Sequence, residues 1–574
     1  MSFTPLPQRI EAILRRAIAQ AQSSGALPPV PDDQELEIPI KPAKQSHYAS
    51  AVAMASARLF KAKPLDIATT IGEHLPENEL IGKVEVAPPG FINIWLAEAW
   101  IQQQVEVIIA AGADVFSLDI GGEQRVIVEF VSANPTGPLH VGRSRGAVVG
   151  DAAARLLEAC GWQVHREYYF NNGGRQMEML GRSIQARYLQ ALGEPADLPD
   201  DGYKGEYHVE LGNTLAQEVG DAWRDKDWTA FKQYAEEIVF KNISATLARI
   251  GISFDQFFNE LDLYDSGAVK ETLKALGKAG YTYDAVTWKG ASEEEIIKAK
   301  RQGTEAATWF RSSQLGDSQD RVIVRSNGDP TYVLPDIAYH VNKLERGFAR
   351  AINVLGSDHF TESQVVKYGL AALGYDAERV DVILHQLVHL MRGGTRIGMS
   401  TRKGEIITLD EVMDETGPDA IRYFLLSRST DNDISFDLDL AVKQSNENPV
   451  FYIQNAHVRC AGILRQLDER GYDPDWDRNA DISLLGEEER SFVLKMLEMP
   501  EQLQMAYENL APHQIAFWTL DLARAFHPMY ERVRVLHSDV PDDVGKARLR
   551  LYRAAQIVFR RALTLMGMTA PDEM

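Results

Sequence analysis

The spacing of apolar positions changes repeatedly along this chain. Near the start Ile10, Ile13, Leu14, Ala17 and Ile18 recur on one helical face, and a Pro-rich loop follows at 27–33. A second helix is expected over about 48–62 and a third after Pro64. KVEVAPPGFINIWL then reads as two strands joined at Pro88, Pro89 and Gly90, and a helix over 97–111 closes a small α+β module. At 126 the pattern becomes an apolar, β-branched run (Val126, Ile127, Val128, Phe130, Val131) cut off by Asn134, Pro135 and Gly137. A buried strand ending in a sharp turn is the expectation. A helix over 144–160, halted by Gly161, and a strand over 163–170 come next.

From about 174 to 280 the pattern is mostly helical with charged faces, followed by strand-like YTYDAVTWKG and a charged run at 292–301. This reads as an insertion between two halves of a nucleotide-binding fold. The second half is expected to open with strands at 322–325 and 331–334 about an Asn327-Gly328-Asp329 turn, with Asp336 opening the next helix. Strands at 351–359 and 382–390 follow, and everything from 451 to 568 has helical spacing. The expected fold class is α/β, in three parts. These are an N-terminal α+β domain over 1–115, a catalytic core over 116–440 carrying the insertion at about 175–300, and an all-α domain over 441–574.

Composition narrows the class. With 574 residues, 45% hydrophobic and 25% charged, the chain is long enough for about three or four domains. No run approaches the roughly 18 apolar residues of a membrane span, and Arg9, Glu11, Arg15 and Arg16 spoil a signal-peptide reading, so a cytoplasmic protein is expected. Cys160 and Cys460 are too few for a disulfide framework or a thiolate zinc site, and no bound metal is expected. A net charge of -22 argues against general adhesion to nucleic acid, so any RNA contact must use local basic patches.

The turn after the first central strand is where chemistry is expected. A helix N-terminus at the carboxyl end of a parallel strand favours phosphate. His140 can donate to a phosphate oxygen, Arg143 and Arg145 stay cationic, and Gly142 and Gly146 permit close approach. Gly356, Asp358 and His359 end another strand, and with His385 they could contact adenosine or ribose, although each histidine is equally compatible with a structural role. A Gly-rich basic loop over 392–404 could fold over a triphosphate; alternatively it is an exposed basic loop. The last long helix carries Lys546, Arg548, Arg550, Arg553, Arg560 and Arg561, a face suited to RNA backbone or simply to solvent.

Several runs then make a specific resemblance. SANPTGPLHVG looks like the HIGH signature of class I aminoacyl-tRNA synthetases, in the form found in arginyl-tRNA synthetases, with Arg143 where a second histidine is usual. MSTRKG resembles that family's KMSKS loop, with Gly398 and Thr401 at the usual lysine positions. Pro89 to Asn93 resembles its N-terminal domain, which contacts the tRNA elbow. PDAIRYFLLSRST resembles its passage into a helical anticodon-binding domain, and MYERVRVL another family run.

The resemblance implies a Rossmann-type core that attaches L-arginine to tRNA(Arg) through an arginyl-adenylate, using ATP with Mg²⁺. It implies catalytic roles for His140, Arg143, Arg402 and Lys403. ATP would be held by His140, Gly142, Gly356, Asp358, His359, His385, Met399 and Ser400. A guanidinium calls for carboxylates with aromatic or amide partners; the resemblance implies Asp336 and Tyr332 for it, Glu129 and Asn134 for the amine or nearby polar atoms, and Gln364 as a further candidate. Tyr530, Arg532, Arg534, Arg553 and Arg560 would meet tRNA. A monomer without an editing module is expected, since a site that hydrogen-bonds a charged side chain rejects apolar rivals by roughly 10⁴ or more. Two alternatives stand beside this reading: another nucleotidyl transferase with a HIGH-type core, and a non-catalytic tRNA-binding relative.

Overall fold

The computed structural model describes residues 2–31, 33–397 and 407–574. At the amino end, helix Leu6–Ser23 buries the apolar face expected of it, including Ile10, Leu14 and Ala17. It packs beside a four-stranded antiparallel sheet, Ile40–Pro42, Tyr48–Ser50, Ile81–Ala87 and Phe91–Leu96. The expected helix over 48–62 is therefore a strand followed by two single-turn helices, Val52–Ala55 and Ala57–Phe60. Tyr48 and Ser50 face the core with strand alternation, and a left-handed Lys61 ends the second turn. Helix Glu98–Ala111 leads out of this module.

The centre is a five-stranded parallel sheet. Its strands are β1 (Arg125–Glu129), β2 (Gln163–Phe170), β3 (Gln256–Asn259), β4 (Arg350–Gly356) and β5 (Val380–His385), in the spatial order β5-β4-β1-β2-β3. Val126 pairs with Val164 on one side and with Arg350 on the other, so β1 lies at the middle of a doubly wound sheet. The topological switch falls between β1 and β4, and ligands of such sheets bind at the carboxyl ends there.

Three expectations change at the level of elements. β3 lies inside the stretch read as an insertion, so that stretch completes the central sheet as well as adding helices Gly174–Ala191, Glu206–Val219 and Trp228–Arg249. Residues 331–334 do not form a strand: Thr331 N–H returns to Ile323 O, and a helix runs over Val333–Glu345 with Asp336 in its first turn. The single strand expected at 382–390 is two strands. β5 ends at His385, and Val388–Arg392 joins a different sheet, parallel to Ile434–Asp437 and antiparallel to Thr395–Arg396. A small antiparallel sheet of Thr282–Ala285, Ala307–Phe310 and Arg321–Val324 flanks the second half.

The carboxy-terminal part is helical as expected. Its long helices are Pro449–Glu469, His513–Arg532 and Asp542–Leu565. The last of these runs against Glu98–Ala111, where Arg550 pairs with Glu106.

Candidate active site

β1 ends abruptly because the backbone of Val131 and Ser132 turns to φ of 67° and 42°. A β-branched residue held there is strained by about 1–3 kcal/mol, a condition that persists only where surroundings enforce it. The turn that follows is well anchored. Tyr168 OH, from β2, donates to Ala133 O at 2.8 Å, and the Asn134 carboxamide accepts from Asn171 N–H at 3.0 Å and donates to Gln176 at 2.9 Å. Helix α1 (Val141–Ala159) then begins with His140 in its cap position. Its close approach to β1 depends on Gly150, where a Cβ would lie 2.3 Å from the Phe130 ring.

The first turn of α1 is shaped around two imidazoles. A Cβ on Gly142 would sit 2.9 Å from the His140 ring, and one on Gly146 would sit 2.8 Å from His385 Nε2, at the end of β5. These glycines thus make room for the two histidines themselves. Burial, helped at His140 by Arg143, lowers the pKa of both rings, so each is a neutral hydrogen-bonding group near pH 7. Arg143 is exposed and lines the cleft. Arg145 does not face phosphate: it is fully buried and donates to the carbonyls of Gln386, Ser429 and Asn432 at 2.6–3.0 Å.

The basic loop meets this helix through its flank. Val141 N–H donates to Ile407 O at 3.3 Å, Leu409 N–H to Leu139 O at 2.8 Å, and His140 bridges Thr408. The residue following the loop is therefore tied to the signature histidine. Met399, Ser400, Arg402 and Lys403 themselves lie outside the described residues.

A cleft of about 1310 Å³ opens at the carboxyl ends of β1, β4 and β5. It is lined by Glu129, Asn134, His140, Gly142, Arg143, Asp336, Gly356, Asp358, His359 and His385, from both halves of the fold. Among the candidates for arginine, Tyr332 and Gln364 do not line it. Tyr332 caps helix Val333–Glu345 with 70% of its surface exposed, so the aromatic groups beside Asp336 are instead Tyr169 and Tyr339. Gln364 is half-buried on a helix whose Glu362 and Ser363 reach the cleft.

The floor of the cleft holds a polar network that no sequence motif announced. Lys343, fully buried, donates to Glu129 Oε2 at 2.6 Å and Asn353 Oδ1 at 2.7 Å. Asn353 donates to His340 Nε2 at 2.7 Å, and His340 Nδ1 donates to Asp336 O at 2.8 Å. Burial and Lys343 push the His340 pKa down to about 3, which keeps that ring neutral. The other oxygen of Glu129 accepts from Ser132 at 2.9 Å. Glu129 thus has its cation already, whereas Asp336 makes no salt bridge among the described residues. Burial, then Glu260 and Glu129, raise the Asp336 pKa to about 8. Glu260 follows β3, is itself buried with a raised pKa, and accepts from the Tyr169 phenol at 2.8 Å. It was invisible in the sequence because the strand that delivers it lies within the insertion.

The carboxy-terminal candidates are largely engaged within the chain. Arg553 forks onto buried Asp477, Arg532 pairs with Glu488, and Arg560 reaches Asp572 at 3.4 Å. Tyr530 is half-buried beneath Arg459, 4.7 Å from its ring, while Arg534 is exposed. Arg548, Arg550 and Arg553 of Asp542–Leu565 tie this helix to neighbouring elements, pairing with Glu489, Glu106 and Asp477.

A parallel sheet wound in this order, with an imidazole leading the helix after its first strand, is the catalytic domain of a class I aminoacyl-tRNA synthetase. A methionyl-tRNA synthetase from Mycobacterium tuberculosis has the same fold over 77% of this chain, at a TM-score of 0.53 and 18% identity. The family model described as "tRNA synthetases class I (R), catalytic domain" matches residues 104–201 and 296–436. "Arginyl tRNA synthetase N terminal domain" matches 8–96 and "DALR anticodon binding domain" matches 453–574. The arginine–tRNA ligase of Bacillus licheniformis is 38% identical over 99% of both chains, and that of Desulforudis audaxviator 41% over 98% of both. The arginyl-tRNA synthetase structure from Thermus thermophilus shares the fold over 99% of this chain, with a TM-score of 0.73 at 21% identity. The chain belongs to the arginyl-tRNA synthetase family, and its reaction is the attachment of arginine to tRNA.

Proposed function

We propose that arginine binds with its guanidinium against Asp336, beside Tyr169 and the Glu260 behind it. The observation that carries this is a half-buried carboxylate lining the cleft among like charges, with its pKa raised to about 8 and no salt bridge among the described residues. A planar cation with five donors relieves that repulsion and can use the phenol as well. Glu129 and Asn134, which line the same cleft, are assigned to the amine. ATP lies along the first turn of α1, its phosphates near His140, Gly142 and Arg143 and its nucleoside toward Gly356, Asp358, His359 and His385. Mg²⁺ arrives with ATP as substrate; among the described residues no cluster of His, Cys, Asp and Glu is arranged to hold a metal. Met399 and Ser400 are assigned to ATP, and Arg402 and Lys403 to the departing pyrophosphate, on the sequence motif alone.

On this reading the arginine carboxylate attacks the α-phosphate and pyrophosphate leaves; the terminal ribose hydroxyl of tRNA(Arg) then takes the arginyl group as the acyl–phosphate bond breaks and AMP leaves. Most of the rate enhancement comes from position and charge. Of the tRNA candidates, Arg534 and the partly exposed Tyr530 keep their assignment. The test is ATP–pyrophosphate exchange with and without tRNA(Arg). Arginine alone among the amino acids should support it, whereas exchange with an uncharged amino acid would remove Asp336 from its role.

A further inference from the structure

The signature turn is held from two sides, and one of the two is supplied by a part of the chain that the catalytic family model does not match, residues 202–295. Helix α2 (Glu206–Val219) brings His208 against the turn, with its Nε2 2.9 Å from Thr136 O, four residues before His140. His208 is buried, its ring stacks on Tyr203 at 4.9 Å and 25°, and Tyr207 meets it edge-on at 5.5 Å. The turn at Gly137 lies in van der Waals range of the ring, where a Cβ would stand 4.0 Å from His208 Cε1 and be accommodated. Burial lowers the pKa of this histidine, so the ring is neutral near pH 7.

A carbonyl only accepts, which fixes the proton on Nε2. The other nitrogen, Nδ1, is then an acceptor; it is buried and has no hydrogen-bond partner among the described residues. On the other side of the turn, Asn134 is held by Asn171 and Gln176. The segment 134–136 is thus gripped at both ends, four residues before the His140 that lines the cleft.

We propose that His208 is a positioning residue for the activation step. By donating from Nε2 to Thr136 O, it lets the insertion set the place of the turn that carries His140 into the cleft. The inference rests on the reading of His140 as an ATP-contacting group. Arginine is anchored elsewhere, at Asp336, so the effect of His208 belongs to turnover with ATP and not to arginine affinity.

The experiment is steady-state ATP–pyrophosphate exchange with saturating tRNA(Arg), on His208→Gln, His208→Asn, His208→Leu and His140→Asn in the full chain. A Gln amide reaches the Nε2 position and keeps the donor, an Asn amide stops near Nδ1, and Leu fills the space without donating. Loss of the donor should cost about tenfold or more in kcat, since displacements near 1 Å reach 10²-fold. Gln should recover to within about threefold of the native enzyme, with KM for arginine steady throughout. Leu retaining native kcat, or Gln and Asn giving equal kcat, overturns the proposal even if Leu does not fold. If His140→Asn keeps native kcat, the fault lies with the reading of His140; a dead His140→Asn beside a native His208→Leu indicts His208 alone.

Discussion

Asp336 has its pKa raised from 3.8 to about 8 by burial and by Glu260 and Glu129, and this has two measurable consequences of opposite sign. Between those values the unfolded chain has lost the proton and the folded chain has kept it. Stability therefore falls as pH rises through that window, by up to about 1.4 kcal/mol per unit from this group alone. Arginine needs the carboxylate, so kcat/KM for arginine should rise with pH up to about 8 and then level. Asp336→Asn should remove this limb of the profile, and a profile flat from pH 6 to 9 in the native enzyme would contradict the assignment. The residue level was partly legible. Asp336, Glu129 and His140 line the cleft as the motifs suggested, because each ends or begins an element next to a motif. Lys343, Asn353, His340 and Glu260 were not, because a buried polar network is made by tertiary contact and has no local pattern. Tyr332 failed for a local reason: the helix starts one residue after it, which turns the side chain to solvent.

At the scale of elements, the strand, turn and helix of 125–170 were readable because three signals agreed: β-branched content, a Pro/Gly break and a glycine stop. Where a segment's hydrophobicity was right but its partner was unknown, the reading failed. The apolar run at 382–390 hides a crossing between two sheets at Gln386, whose N–H goes to Thr430 O. β3 is four residues long, below the length at which alternation can be told from a helix face. Helix α1 gives a prediction of its own. Gly146→Ala gains about 1 kcal/mol of helix propensity, but its Cβ would lie 2.8 Å from His385 Nε2. The ring can swing away, so the melting temperature should hold or rise while KM for ATP rises severalfold. A lower melting temperature with unchanged KM would place His385 outside the ATP site.

Over the whole molecule, the same helix is joined to distant parts by one buried cation. Arg422 donates to Asp151 of α1 at 2.7 Å, to Ile250 O at 2.7 Å and to Met566 O at 3.0 Å. Gly567 packs so closely on the guanidinium that a Cβ would lie 2.1 Å from it. The catalytic helix, the approach to β3 and the end of the last helix thus meet at one side chain. Arg422→Met should cost about 1–3 kcal/mol in urea unfolding, because the Ile250 and Met566 carbonyls lose their buried donor while Asp151 keeps Arg155 at 2.7 Å. Arg422→Lys should not restore it, since a point charge cannot meet acceptors spread over a planar fork. None of this was legible from charge patterning, which left the last helix's cations to RNA or solvent, whereas Arg550, Arg553 and Arg548 pair with Glu106, Asp477 and Glu489 on other elements.

The claim on which the rest depends is that Asp336 receives the guanidinium. Aminoacylation kinetics of Asp336→Asn at pH 8.5, with ATP and tRNA(Arg) saturating, tests it most directly. Losing the carboxylate of a buried charge pair costs about 2–5 kcal/mol, so KM for arginine should rise by roughly 30-fold or more while KM for ATP stays within about twofold. An unchanged KM for arginine, or an equal loss toward ATP, would contradict the account.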